Sequence, residues 1–135
     1  MEEQKPRDIM VVDDDDEMQT LLQAVLRKDG YRVRGVDGGE AAIGRLGLDA
    51  AASKASLPDL IILDIMMAGI DGYTLNARLL ADARTRNIPV LVLTARPHMR
   101  ELFISCANIA VFMEKPFDPH VLRSRVAAVL AKRSN

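Results

Sequence analysis

Five residues of this chain are of types that could do chemistry together: Asp13, Asp14, Asp64, Thr94 and Lys115. Carboxylates brought close repel one another and call for a cation. Mg2+ suits them, because it takes oxygen ligands and keeps positions for water or phosphate oxygens. Asp64 directly follows Leu60-Ile61-Ile62-Leu63, and a carboxylate placed there can act as a nucleophile on phosphorus. Thr94 offers a hydroxyl and Ala95 a backbone N–H to phosphate oxygens. Lys115, on a short turn before Pro116, offers a point charge that neutralises a phosphoryl group in transfer.

Each residue also has a plainer reading. An acidic run after a strand suits a helix N-terminus, and that explanation suffices for Asp15, Asp16 and Glu17. Taken alone, Asp13 and Asp14 fit that reading as well as they fit a metal site. A strand-terminal Asp is commonly a turn residue or a cap, a Thr commonly finishes a strand, and a Lys commonly faces solvent. His98 and His120 read as surface residues without a second ligand, and Cys106 as a small helix-face hydrophobe.

What positions these residues distinguishes a site from scattered polar groups. Short apolar runs at Ile9–Val12, Tyr31–Val36, Leu60–Leu63, Val90–Leu93 and Val111–Met113 alternate with helical patterns. Four runs are nearly all apolar, as strands of a parallel sheet covered on both faces must be. Tyr31–Val36 carries Arg32 and Arg34 in alternation and reads as an edge strand. Met18, Leu21, Leu22, Val25 and Leu26 mark a first helix ended by Gly30. Further helices are expected over Glu40–Leu46, Gly72–Ala83 with Asp71 as N-cap, and His98–Ala107. A last helix opens at Asp118-Pro119, with Leu122, Val126 and Val129 on one face. Gly47–Leu57 reads as a surface loop or extended helix end. Five strands alternating with five helices imply a parallel sheet wound on both sides, with chemistry at the carboxyl ends of its strands. Asp13-Asp14, Asp64, Thr94 and Lys115 all fall at those ends.

Composition sets the frame. The chain has 135 residues, 49% hydrophobic and 27% charged, which suits one folded domain spanning 1–135 with a core of about 8–133. The formal net charge is −1, so bulk charge gives no argument for nucleic acid or membrane partners. Residues 1–17 hold eight acids and two bases. A single cysteine permits no intrachain disulfide, and no apolar run approaches a membrane span. A cytoplasmic location is the expectation.

Placed in order, Val11-Val12-Asp13-Asp14-Asp15, Pro58-Asp59-Leu60-Ile61-Ile62-Leu63-Asp64-Ile65-Met66-Met67, Asp71-Gly72, Ile88–Ala95 and Lys115-Pro116-Phe117 resemble the receiver domain of two-component response regulators over nearly the whole chain. The resemblance implies a flavodoxin-like doubly wound sheet of order 2-1-3-4-5. It implies Asp64 as phosphoacceptor and Asp14 as direct Mg2+ ligand, with Asp13 acting largely through water and the Met66 carbonyl as a further ligand. It implies that Thr94, Ala95 and Lys115 contact phosphate, and that Thr94 and Phe112 switch. It implies a sensor histidine kinase or phosphotransfer protein as donor, an unnamed downstream protein as target, and a homodimer linked to phosphorylation. It implies a cis Lys115–Pro116 bond. The chain departs from the family at Ala68, where Pro is usual, at Phe112, where Tyr is frequent, and at Asn108, where Gly is normal. These 135 residues show no DNA-binding or catalytic output domain, so the expectation is either output by protein contact, through the face around Arg100, Phe112 and Arg123, or a chain that is a fragment of a longer regulator. A haloacid-dehalogenase-type phosphatase is the main rival; it would use Asp13, Asp15, Thr94 and Lys115 and leave Asp64 idle. A second rival is a receiver-like scaffold that binds partners without phosphorylation, but such scaffolds usually lose an acidic-pair member, the acceptor or the Lys, and all are present here.

Overall fold

The computed structural model describes residues 6–49 and 54–133. Along the chain run β1 (Asp8–Val12), α1 (Asp16–Lys28), β2 (Arg32–Val36), α2 (Gly39–Leu46), β3 (Leu60–Leu63), α3 (Gly72–Ala81), β4 (Val90–Thr94), a 3₁₀ helix (Pro97–Phe103), β5 (Ile109–Glu114) and α4 (Pro119–Arg133). All strand pairs are parallel, in the order β2-β1-β3-β4-β5. β2 is an edge strand, as its arginines imply: Arg32 is exposed, and Arg34 reaches Asp8 at 3.1 Å.

Alternation along each strand sorts the core onto two faces. Ile9 and Val11 pack with Leu22 and Leu26 of α1 and with Leu122 and Val126 of α4. Met10 and Val12 face the other way, onto Leu46, Leu75, Leu79 and Phe103. The inner strands are therefore sealed on both sides, and only their ends meet solvent.

Local chemistry sets the helix ends. Asp15 caps α1, its carboxylate accepting from the N–H groups of Glu17 and Met18, and acids in the first turn and bases in the last suit the dipole. Asp71 caps α3 by accepting from Thr74. Gly47, at φ 69°, closes α2 in the left-handed conformation that glycine tolerates. The loop expected after it falls partly on residues 50–53, which lie outside the described residues.

Two helices differ from expectation. α3 stops at Ala81 rather than Ala83, because Asp82 turns extended and its carboxylate accepts from the Arg84 N–H. The helix expected over His98–Ala107 is a 3₁₀ helix at Pro97–Phe103. A short connection explains it. A 3₁₀ helix rises about 2.0 Å per residue against about 1.5 Å in an α-helix, so a few residues can run back along β4. β5 then begins two residues earlier than the apolar run suggested, and Ala110 forms a bulge between the Val90–Ile109 and Leu91–Val111 pairs.

Candidate functional site

The site grows from the ends of β1, β3, β4 and β5. β1 delivers Asp13, which is 2% exposed, and β3 delivers Asp64, which is 7% exposed. Gln19 fixes the first of these ends from one turn into α1. Its side-chain amide donates to the carbonyls of Val11, Asp13 and Val36 at 2.7–3.1 Å. Gly35 leaves room for that arrangement, because a Cβ there would come within 2.4 Å of the Gln19 side chain. Nothing in the spacing of Gln19 announces this role. At the second end, Gly72 lets α3 approach closely: a Cβ on it would lie 2.4 Å from the Asp64 carbonyl oxygen.

Lys115 enters from the end of β5. Its ammonium stands 2.9 Å from Asp13 Oδ2 and 3.6 Å from Asp64 Oδ2. The turn is held by the Lys115 N–H donating to the Thr94 carbonyl at 2.7 Å, and the Lys115–Pro116 bond is cis. Asp13 Oδ1 accepts from the Asp15 N–H at 2.9 Å, and Asp64 Oδ1 from the Met66 N–H at 3.4 Å. Asp14 is exposed, and its Oδ2 accepts from the Ala68 N–H at 3.0 Å. One oxygen from each of Asp13, Asp14 and Asp64 lies within 4.8 Å of the others.

The electrostatics of this trio are unbalanced. Burial, then the charge of Asp13, push the Asp64 carboxyl up to about 6, and Lys115 and the Met66 N–H only partly offset them. Three acids share one ammonium, so the donor set is short of positive charge. Oxygen donors at this spacing fit a hard divalent cation, which takes oxygen ligands.

Thr94 is fully buried at the end of β4, its hydroxyl accepting from the Arg96 N–H at 3.0 Å, while Ala95 beside it is exposed. Phe112 is half-buried on β5 opposite Val92, two residues before Thr94 on the neighbouring strand. Val92 and Phe112 both belong to the core on the 3₁₀-helix side, so alternation places Thr94 on that face too. Phe112 leans on Phe103 with centroids 6.2 Å apart, and Phe103 meets Tyr73 edge-on at 5.5 Å.

Arg123 pairs with Asp29 at the end of α1, at 2.6 Å. Its neighbour Arg125 lines the groove beside Ala110 and Val111 instead. Asp15, which the phosphatase reading needed as an acid, is occupied as the α1 cap. His98 and His120 are exposed, and Cys106 packs half-buried against the core.

The comparisons agree with this geometry. The family model of the response regulator receiver domain matches residues 9–127. The DNA-binding dual master transcriptional regulator RpaA of Synechocystis is 37% identical over 127 residues, covering 92% of this chain and 49% of that protein. The signal receiver domain of a signal transduction histidine kinase from Syntrophus aciditrophicus superposes with a TM-score of 0.80 at 31% identity, covering 93% of this chain and 91% of that one. The response regulator TrrA of Thermotoga maritima, crystallised in complex with Mg(2+)-BeF, gives 0.76 at 27% identity, with 91% and 98% covered. The chain spans about half the length of the first curated relatives it matches, or less. The chain belongs to the response regulator receiver domain family, the phosphorylation-dependent signalling domains of two-component systems, and has their flavodoxin-like fold. Among the described residues, no helix is long and apolar enough to cross a membrane.

Proposed function

We propose that Asp64 accepts a phosphoryl group from a phosphohistidine of a sensor kinase or phosphotransfer protein. The observation that carries this reading is a buried carboxylate beside a single ammonium, 3.6 Å away, at the carboxyl edge of the sheet. An Asp64 oxygen forms the new P–O bond as the P–N bond of the donor breaks and the imidazole leaves. Lys115 can turn from Asp13 to the incoming phosphoryl oxygens, and the Thr94 hydroxyl and Ala95 N–H, at the carboxyl end of β4, can donate to others. Asp13, Asp14, Asp64 and the Met66 carbonyl would hold a Mg2+ ion, which when bound supplies positive charge to the phosphoryl oxygens. The chain catalyses its own phosphotransfer and dephosphorylation.

Output follows from Thr94. When its hydroxyl turns from the Arg96 N–H to a phosphate oxygen, space opens beside β4 on the face that holds Phe112. Movement of Phe112 against Phe103 then reshapes the surface of the 3₁₀ helix and β5, where a downstream protein or a second copy binds. Because Phe112 has no phenolic hydroxyl to hold it outward, it stays largely buried in both states, and the shift between states is small.

Phosphoramidate, a P–N donor, tests the transfer. 31P NMR should show an acyl-phosphate signal that forms only with Mg2+, does not form when a chelator is present from the start, and is destroyed by hydroxylamine. A hydroxylamine-stable signal would overturn the reading.

A further inference from the structure

Asp14 is the one member of the carboxylate trio open to solvent. An exposed side chain wanders among rotamers, and a ligand that must first be ordered binds more weakly. Asp13 and Asp64 are restrained by burial, by Lys115 and by N–H groups two residues along their own loops. Asp14 has a restraint of another kind. Its Oδ2 accepts from the backbone N–H of Ala68, 54 residues away, at 3.0 Å. That bond joins the β1–α1 loop to the β3–α3 loop, the two segments that carry all three carboxylates. It is charge-assisted, and such bonds are stronger than neutral ones. A carboxylate has about four lone-pair sites, so the bond leaves Asp14 free to ligate a cation.

The path of the chain past Ala68 is equally constrained. Gly69 follows at φ 77°, and a Cβ there would sit 2.7 Å from the Glu40 carboxylate. The loop is therefore turned by a residue that only glycine fills without strain, and that turn presents the Ala68 N–H to Asp14.

We propose that the Ala68 backbone N–H is a positioning group for Asp14, one that holds its carboxylate towards Asp64 and so raises the affinity of the trio for a divalent cation. This inference rests on the reading of the trio as a Mg2+ site, and the experiment separates the two. Mg2+ is titrated against the 15N-labelled chain and followed by amide shifts, since the protein has no tryptophan to report binding. A68P removes the N–H, A68G keeps it, and D14A, which removes the acceptor, and the D14A/A68P double variant complete a cycle. A68P should weaken Mg2+ binding about five-fold, the size of one lost hydrogen bond, while A68G stays within two-fold of the wild type. In the D14A background the proline should change affinity by less than two-fold, and D14A alone should shift the Ala68 amide resonance. Wild-type affinity in A68P overturns the positioning role and leaves the metal site standing. An equal loss from the proline with and without Asp14 overturns it too, since the effect would then be a general loop defect. No Mg2+ binding by the wild type overturns both readings.

Discussion

Replacing Asp64 with Asn should stabilise the metal-free protein, and by an amount that depends on pH. The carboxyl of Asp64 is raised from 3.8 to about 6 in the folded chain, first by burial and then by Asp13. At pH values below 3.8 both folded and unfolded states hold the proton, and the group costs nothing. Between 3.8 and about 6 the unfolded state releases the proton and the folded state keeps it, so stability falls as pH rises. Above about 6 the cost is complete, roughly 2–3 kcal/mol from the gap between the two values. Asn is close in shape and carries no charge, so D64N escapes this cost. Its advantage should therefore grow by about 1.4 kcal/mol between pH 5 and pH 7.5 and then level off. Urea unfolding of both proteins at several pH values, with a chelator present, measures it. Mg2+ should then stabilise the wild type by mass action and D64N much less. A D64N advantage that is flat with pH, or a wild type that is the more stable above pH 6, would refute the electrostatics assigned to Asp64.

Three further outcomes follow from the same geometry. K115M should destabilise the chain by about 2–3 kcal/mol, because it leaves the buried Asp13 carboxylate unpaired, and D13N in the same chain should recover most of the loss in urea unfolding. N108A should cost about 1–3 kcal/mol, because Asn76 and Asn108 form a buried amide pair at 2.7 Å and Asn76 would be left without that partner; N76A/N108A should cost less than the sum of the two single changes. Beryllofluoride with Mg2+ should shift amides from Asp64 through Thr94 to Phe103 and Phe112, and T94A should confine the shifts to the pocket by NMR. Shifts that stop short of Phe103 in the wild type would remove the proposed route to a partner.

Much of the fold was legible because it depends on burial alone. Leu60–Leu63 and Val90–Thr94 lie in the middle of the sheet and must be apolar on both faces, so their runs announce themselves. β2 was legible for the opposite reason, since only an edge strand has room for Arg32 and Arg34. The 3₁₀ helix was not legible: apolar residues at Met99, Phe103 and Cys106 suit an α-helix equally well, and the length of the connection decides between them. Order and spacing place the acidic pair, Asp64, Thr94 and Lys115 at strand ends; the structure brings the side chains of Asp13, Asp14, Asp64 and Lys115 together, and Thr94 ends β4. Gln19, Gly35 and the Ala68 amide escaped notice because their roles arise only when distant segments meet. The Arg123–Asp29 pair was not legible because the periodicity of α4 names its buried face but not which neighbour each flank meets.

Incubation with Mg2+ and acetyl phosphate, followed by mass spectrometry of the intact and digested chain, decides whether Asp64 is the phosphoacceptor. The predicted result is one acid-labile phosphoryl group on the peptide that contains Asp64, absent from D64N. A phosphoryl group on Asp13, or undiminished modification of D64N, would contradict it.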